Sequence, residues 1–273
     1  MQQPDHIKRD MQRFYTGIRK TLERQIFEKI TYDENFFRDT ERYKYECYPY
    51  LNELMEFNLH IDERILEIGV GQGVDHSMFT RNGADTYGID LTFKHLEITG
   101  KRFDFLGLKP KLTQADAEQL PFRDNSFDLV YSWGVIHHVP DMQSVINEIH
   151  RVLKPGGKVI AMFYHKNSIW FFHNILFFKG IVLGELQFLT YKTLLNWHSG
   201  DGYNFPLAQY VTKRSLKKLF KHFENHKFYI TNYDQKHLPY PIHRFFTEGM
   251  FTFFSRYIGF FITIKAQKGF DKK

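Results

Sequence analysis

The sequence predicts a doubly wound α/β domain, and three observations carry that prediction. Apolar runs of strand length alternate with amphipathic helical stretches between residues 62 and 164. The first of these runs ends in a glycine turn, Gly69-Val70-Gly71-Gln72-Gly73. Alternation at this length implies a parallel sheet with right-handed crossovers.

The elements follow in order. Residues 1–60 read as an N-terminal helical cap, in which Met11, Phe14, Ile18 and Leu22 recur at helical spacing and an aromatic-rich piece follows from Phe36 to Leu51. Residues 61–164 form the core. Its strands are Arg64–Ile68, Thr86–Asp90, a short one near Leu112, Phe127–Ser132 and Lys158–Phe163. One helix between them shows Phe93, Leu96, Gly100 and Phe103 on a single face. Another starts near Asp141, carries Met142, Val145, Ile146, Ile149, Val152 and Leu153, and is ended by Pro155-Gly156-Gly157. Residues 165–210 break the pattern as an aromatic insertion or lid. Residues 211–273 complete the sheet, with a helix bearing Leu216, Leu219, Phe220 and Phe223, then strands at Phe228–Thr231 and Phe261–Lys265.

Composition narrows the class. Of 273 residues, 42% are hydrophobic and 25% charged, which argues for a packed globular chain and against disorder. Aromatic residues reach 18%, with 29 Phe and 16 Tyr, more rings than core packing ordinarily uses. The single cysteine, Cys47, leaves no intramolecular disulfide and fits a reducing compartment. The first ten residues lack the apolar stretch of a signal peptide, so a cytoplasmic location is expected. The net charge of +6 is scattered except at Lys213, Arg214, Lys217, Lys218 and Lys221, which read as a solvated helix face.

The glycine turn is the first chemical signal. Glycines let the backbone turn tightly and approach a ligand without Cβ clashes, and the helix that follows points its N–H groups the same way. Glu67 precedes the turn. The GxGxG spacing is tighter than the dinucleotide fingerprint and suits a ligand without a pyrophosphate, which disfavours an oxidoreductase. Asp90 ends the second strand, 23 residues after Glu67, where a carboxylate can accept from both hydroxyls of a ribose, or serve as the acid before the helix that begins near Thr92. Asp116, before Ala117 and Glu118, can accept from an adenine amino group.

These motifs, in this order and with this spacing, resemble the class I S-adenosylmethionine-dependent methyltransferases of the small-molecule kind, the methyltransferase type 11-like family. The resemblance covers residues 62 to about 164. It implies a seven-stranded Rossmann-like sheet of order 3-2-1-4-5-7-6 with the last strand in sequence antiparallel. It implies S-adenosyl-L-methionine as cofactor, with Gly69, Gly71 and Gly73 around the methionine portion, Asp90 on the ribose, Asp116 and Ala117 on the adenine, and the Trp133 backbone on the amino group. Glu67 and Leu91 join that cofactor set. Val70 and Gln72 depart from the usual loop residues, but backbone contacts would survive the change.

Methyl transfer from a sulfonium needs a nucleophile held close and in line, and a base only where the acceptor must lose a proton. His137 is the first candidate base, with His165 and His138 behind it, because all three stand at the carboxyl ends of strands. Trp170, Phe171, Phe172, Phe177, Phe178, Phe188, Tyr191 and Trp197 crowd the insertion, and Phe36, Phe37, Tyr43, Tyr45 and Tyr48 could form an opposite wall. Together they suggest a small acceptor with an apolar or aromatic body, methylated on O or N; a core or dimer interface is the plainer reading of the same rings.

The segment Ser168–Leu189 reads first as a buried lid or interface helix, next as a membrane-surface contact, and last as a span, since His173, Asn174, Lys179 and Glu185 would be costly in a bilayer. The competing functions are a non-catalytic methyltransferase-fold binding or membrane-surface protein and a nucleic-acid methyltransferase. The second lacks an Asn/Asp-Pro-Pro-Tyr/Phe motif, so no nucleic-acid partner is expected. No metal site is expected, and the chain reads as a monomer or homodimer.

Overall fold

The computed structural model describes residues 7–10, 12, 31–199, 206–232 and 247–270. The helical repeat at Met11, Phe14, Ile18 and Leu22 lies outside the described residues.

Helix α1, Glu34–Cys47, is started by Asp33, whose carboxylate accepts from the Phe36 N–H at 3.0 Å. A short helix α2, Leu51–Met55, leads into β1, Arg64–Ile68. There follow α3 (Val74–Arg81), β2 (Asp85–Asp90), α4 (Phe93–Phe105), β3 (Leu112–Gln114), β4 (Phe127–Trp133), α5 (Met142–Val152) and β5 (Leu153–His165). Beyond them lie a π-type helix at Trp170–Val182, α6 (Tyr191–Trp197), β6 (Tyr210–Val211), α7 (Lys213–Leu219), β7 (Phe223–Thr231), α8 (Glu248–Ile258) and β8 (Phe261–Lys268).

The strands form one sheet in the order β3-β2-β1-β4-β5-β8-β7, and the two-residue β6 pairs with the end of β5. Strands β1 to β5 run parallel, and β8 is antiparallel to both β5 and β7. With β6 set aside, this is the expected order 3-2-1-4-5-7-6. The added β6 belongs to the insertion, which returns to the sheet through Tyr164↔Tyr210 and His165↔Val211.

The two faces of the sheet are covered by different helices. On β1, Leu66 and Ile68 join a cluster with Val145 and Ile149 of α5 and Leu216 of α7. Ile65 faces the other way and joins Leu51 and Met55 of α2 and Phe79 of α3. Strand β4 repeats the alternation, with Val130 on the first side and Leu129 and Tyr131 on the second. A register shift between Phe127 and Leu129 returns Phe127 to the first side.

Three details differ from the sequence reading. Phe93 is 60% exposed, because α4 buries Ile98, Thr99 and Arg102 beside Leu96 and Phe103. Helix α7 stops at Leu219, so Phe220 caps it and Phe223 opens β7, although the two rings still pack 5.4 Å apart. Strand β5 begins at Leu153 rather than Lys158, through the pairing Phe127↔Leu153.

Candidate functional site

The carboxyl ends of the parallel strands share one edge of the sheet, which is where such sheets bind ligands. At that edge the chain leaves β1 through the glycine turn. The N–H groups of Gly69 and Val70 both donate to the Ile89 carbonyl, at 2.8 and 3.1 Å, which ties the turn to the tip of β2. Gly69 and Gly71 have φ of +81° and +55°. A Cβ on Gly69 would lie 2.2 Å from a Val135 methyl carbon, so that glycine is required by the packing behind it. A Cβ on Gly71 would meet no heavy atom within 4 Å, because Gly71 faces open cavity space.

Asp90 fixes the neighbouring tip. Its Oδ2 accepts from the Gly71 N–H at 3.0 Å and lies 3.2 Å from the His95 Nδ1, while Oδ1 accepts from the Thr92 N–H at 2.9 Å. The carboxylate is thus oriented by the backbone and keeps lone pairs for further donors. Asp90 thus serves as the acid before the helix that begins near Thr92, and its remaining lone pairs stay available for the ribose reading.

A cavity at this edge is lined by Gly69, Gly71, Asp90, Leu91, Asp116, Ala117 and Trp133, all of them sequence candidates. Gly73 stands outside it, packed so that an added Cβ would lie 2.7 Å from the Thr99 methyl carbon. Lys8 also borders the cavity and holds Asp116 at 2.6 Å and Glu118 at 2.5 Å. An oriented acid beside a Cβ-free turn, with a second acid across the cavity, fits an adenosine carrying an amino-acid tail.

A second cavity adjoins the first through Gly69, Gly71, Trp133 and Gly134. Part of its wall is aromatic, formed by Tyr43, Tyr48, Trp133, Tyr164, Trp170, Phe260 and Phe261. Their rings contact one another, Tyr48 with Phe261 at 5.7 Å, Trp133 with Phe261 at 5.9 Å and Tyr164 with Phe260 at 4.7 Å. Glu67, predicted in the cofactor set, lines this second cavity together with Asp75 and Lys44.

These polar groups form a buried network. Asp75 is 2% exposed and receives Lys44 Nζ at 2.6 Å, Tyr45 Oη at 3.2 Å and the Tyr131 hydroxyl. Burial, reinforced by the Asp75 charge, raises both phenols above the usual tyrosine range. Glu67 Oε2 lies 3.1 Å from His76 Nδ1. Burial first, and Asp75 second, push the Glu67 carboxyl well above the usual carboxylate range. Burial lowers the His76 imidazole to about 3.

The three candidate histidines separate. His138 borders the cofactor-side cavity, and its Nδ1 lies 2.8 Å from the Leu207 carbonyl oxygen. His137 is fully buried, its ring 4.1 Å from those of both His138 and Tyr164, and it lines neither cavity. The cause is the 3-10 turn Ile136–His138, which rotates successive side chains by about a third of a turn, so adjacent residues cannot face the same way. His165 is 2% exposed, holds the Gly259 carbonyl at 3.1 Å and also lines neither cavity. Burial lowers its imidazole below the usual range.

Sequence reasoning missed Asp75, Lys44, Tyr131 and Arg102. The buried Arg102 guanidinium donates to the carbonyls of Gln72 and Phe37 and to Thr40 Oγ1, and so pins α1 and α4 to the glycine turn. The signals were present: an arginine on an otherwise inward helix face, and a tyrosine inside the apolar run of β4.

Comparison with known proteins agrees with this arrangement. Residues 66–161 match the family described as a methyltransferase domain. A demethylmenaquinone methyltransferase of Staphylococcus epidermidis is 36% identical over 137 residues, 49% of this chain and 54% of that protein. A phosphatidylethanolamine N-methyltransferase of Cereibacter sphaeroides is 30% identical over 139 residues, 50% of this chain and 63% of that protein. The chain thus spans only about half the length of the curated relatives it matches. Among solved structures, a SAM-dependent methyltransferase of Methanosarcina mazei superposes with a TM-score of 0.56 at 20% identity, over 80% of this chain and 98% of that one. The fold is that of the class I S-adenosylmethionine-dependent methyltransferases. Within it, residues 66–161 match a methyltransferase domain.

Proposed function

We propose that this chain transfers the methyl group of S-adenosylmethionine to an oxygen or nitrogen of a small organic acceptor with an apolar, ring-bearing or chain-bearing body. The observation that carries the reading is the junction of the two cavities at Gly69, Gly71, Trp133 and Gly134. One side offers an oriented carboxylate for a ribose, and the other offers aromatic walls. The names of the two relatives, one acting on a menaquinone precursor and one on a phospholipid, favour an acceptor of that character.

When bound, the cofactor supplies a methyl group already activated by its positive sulfur. The chain supplies position. Asp90, held by two backbone N–H groups, receives the ribose hydroxyls, while Asp116 and Ala117 take the adenine side. The glycine turn and the end of β4 at Trp133 and Gly134 would hold the methionine portion. The aromatic cavity excludes water and orients the acceptor against that junction. Where the acceptor must lose a proton, the candidate among the three histidines is His138, which borders the cofactor-side cavity and not the aromatic one. With Nδ1–H donated to Leu207, its Nε2 takes the accepting role.

The test is incubation with methyl-labelled cofactor and separated lipid, aqueous small-molecule, protein and nucleic-acid fractions of a host extract, then mass identification of the labelled species. Label in a small molecule with an apolar body supports the reading. Label confined to protein or nucleic acid, or cofactor binding with no label in any fraction, overturns it.

A further inference from the structure

Exposed apolar side chains are concentrated in one place. Of the eighteen large apolar residues that stand exposed among the described residues, nine lie between Phe172 and Tyr191. The π-type helix Trp170–Val182 buries Phe171, Ile175 and Gly180 against the body. It turns Phe172, Phe177, Ile181 and Val182 outward at 52 to 65% exposure, and the chain beyond it adds Leu183 and Phe188, the latter 85% exposed. Of the expected buried lid or interface helix, full burial is not what the structure shows: one strip is inward, its flanks are half-buried, and five of the thirteen residues are exposed. Soluble proteins seldom leave so continuous an apolar surface uncovered unless something docks there.

Three features choose the partner. First, charge: from residue 166 to residue 199 the cations are Lys166, Lys179 and Lys192, against one carboxylate, Glu185, which is bonded to His198 at 2.5 Å. An apolar strip flanked by lysines matches an anionic lipid surface. Second, length: the helix has 13 residues, too few to cross a bilayer, so it would lie along the interface. Third, continuity: the helix begins at Trp170, which lines the aromatic cavity. Exposed Met250, Phe253 and Tyr257 on α8 lie just before Phe260, which lines the same cavity. Two bare apolar strips therefore lead to its wall.

We infer that this strip docks the protein on an anionic membrane surface, with the helix lying in the headgroup layer and the aromatic cavity within reach of lipid-soluble molecules. The link to the acceptor rests on the methyl-transfer reading; the docking surface does not.

The test is co-sedimentation of the full chain with vesicles of phosphatidylcholine alone and with added phosphatidylglycerol, for wild type, the triple variant Phe177→Ser, Ile181→Ser, Phe188→Ser, and the double variant Lys179→Glu, Lys192→Glu. S-adenosylhomocysteine affinity and light scattering are measured on the same preparations. The wild type is expected to bind the anionic vesicles. The triple variant should lose about tenfold or more of that affinity, since several buried apolar groups set it. The double variant should lose the preference for phosphatidylglycerol. All three should keep their cofactor affinity, because the substituted residues line neither cavity of the proposed active site. No vesicle binding by the wild type, or undiminished binding by the triple variant, overturns the proposal. So does a wild-type dimer that the triple variant dissociates without any vesicle binding, which would assign the strip to a second copy. Vesicle binding without S-adenosylhomocysteine binding would leave the surface standing and sink the methyl-transfer reading.

Discussion

Gly71 and Gly69 are two residues apart in one turn, yet replacing them by alanine should fail in different ways. At Gly71 an added Cβ meets nothing of the protein within 4 Å, so the cost to the fold is that of holding alanine at φ +55°. A left-handed alanine costs about 1–2 kcal/mol, which lowers the melting temperature of a chain this size by roughly 2–8 °C. The empty space around that Cβ belongs to both cavities. A methyl group there occupies volume that the cofactor needs, and the expected loss is about tenfold or more in affinity, or ~1.4 kcal/mol and upward. Gly69→Ala places its Cβ 2.2 Å from one Val135 methyl carbon and 3.0 Å from the other, at φ +81°. Overpacking of that kind adds about 1–3 kcal/mol to the backbone strain, so this variant should lose mainly stability. The assay is calorimetric titration with S-adenosylhomocysteine, alongside thermal melting of the free proteins. Wild-type affinity in folded Gly71→Ala would refute the assignment of this turn to the cofactor.

Asp90→Asn should weaken S-adenosylhomocysteine binding by about tenfold to a hundredfold, because hydrogen bonds to a charged group contribute roughly 1.5–3 kcal/mol; calorimetry showing less than a threefold change would remove Asp90 from the ribose. His137→Ala deletes a fully buried ring packed on Tyr164, so its expected effect is a loss of about 2–4 kcal/mol of stability, with turnover per folded molecule near wild type. A tenfold fall in turnover with unchanged melting would instead assign the base to His137. Glu67 and His76 predict opposed pH effects in the cofactor-free protein. His76, lowered from 6.5 to about 3, contributes stability that is lost as pH falls below 6.5, at ~1.4 kcal/mol per unit. Glu67, pushed well above the usual carboxylate range by burial, takes up its proton at higher pH in the folded than in the unfolded chain and so works against that loss. Glu67→Gln removes the offset, so its stability should fall more steeply than wild type as the pH is lowered below 6.5 in urea titrations. Parallel pH–stability curves would contradict this account.

The sequence made strands and turn legible where local and tertiary demands agree. Arg64–Ile68, Phe127–Ser132 and Lys158–Phe163 are near-continuous apolar runs because parallel strands are covered on both faces, and the glycines are required where they stand. Orientation was less legible. The run from Trp170 to Val182 has apolar residues on every side, with only His173, Asn174 and Lys179 between them, so no periodicity says which side is buried, and the structure leaves part of it exposed. The face of α4 was misread at Phe93 because Arg102 and Thr99, polar by type, are buried by their partners Gln72, Phe37, Thr40 and Gly71. His137 and His138 were indistinguishable in sequence, since the turn that separates their directions depends on a three-residue pitch.

The division of labour between the two cavities explains why resemblance reaches the cofactor and stops short of the acceptor. Apart from Lys8, every residue lining the cofactor-side cavity lies between Ile68 and Pro140, and all of that span falls inside the matched residues 66–161. The aromatic cavity draws Thr40, Tyr43, Lys44 and Tyr48 from α1 and the segment after it, Trp170 from the insertion, and Asn232, Phe260 and Phe261 from the last part of the sheet, all outside the match. A protein built this way can keep the strand tips that line the cofactor-side cavity while the flanking segments change, because that lining, Lys8 apart, draws on none of those segments. On the proposed reading, acceptor choice is carried by the N-terminal cap, the insertion and the α8–β8 corner. A chimera that grafts residues 66–161 of a relative between these flanks should keep the acceptor of the flanks.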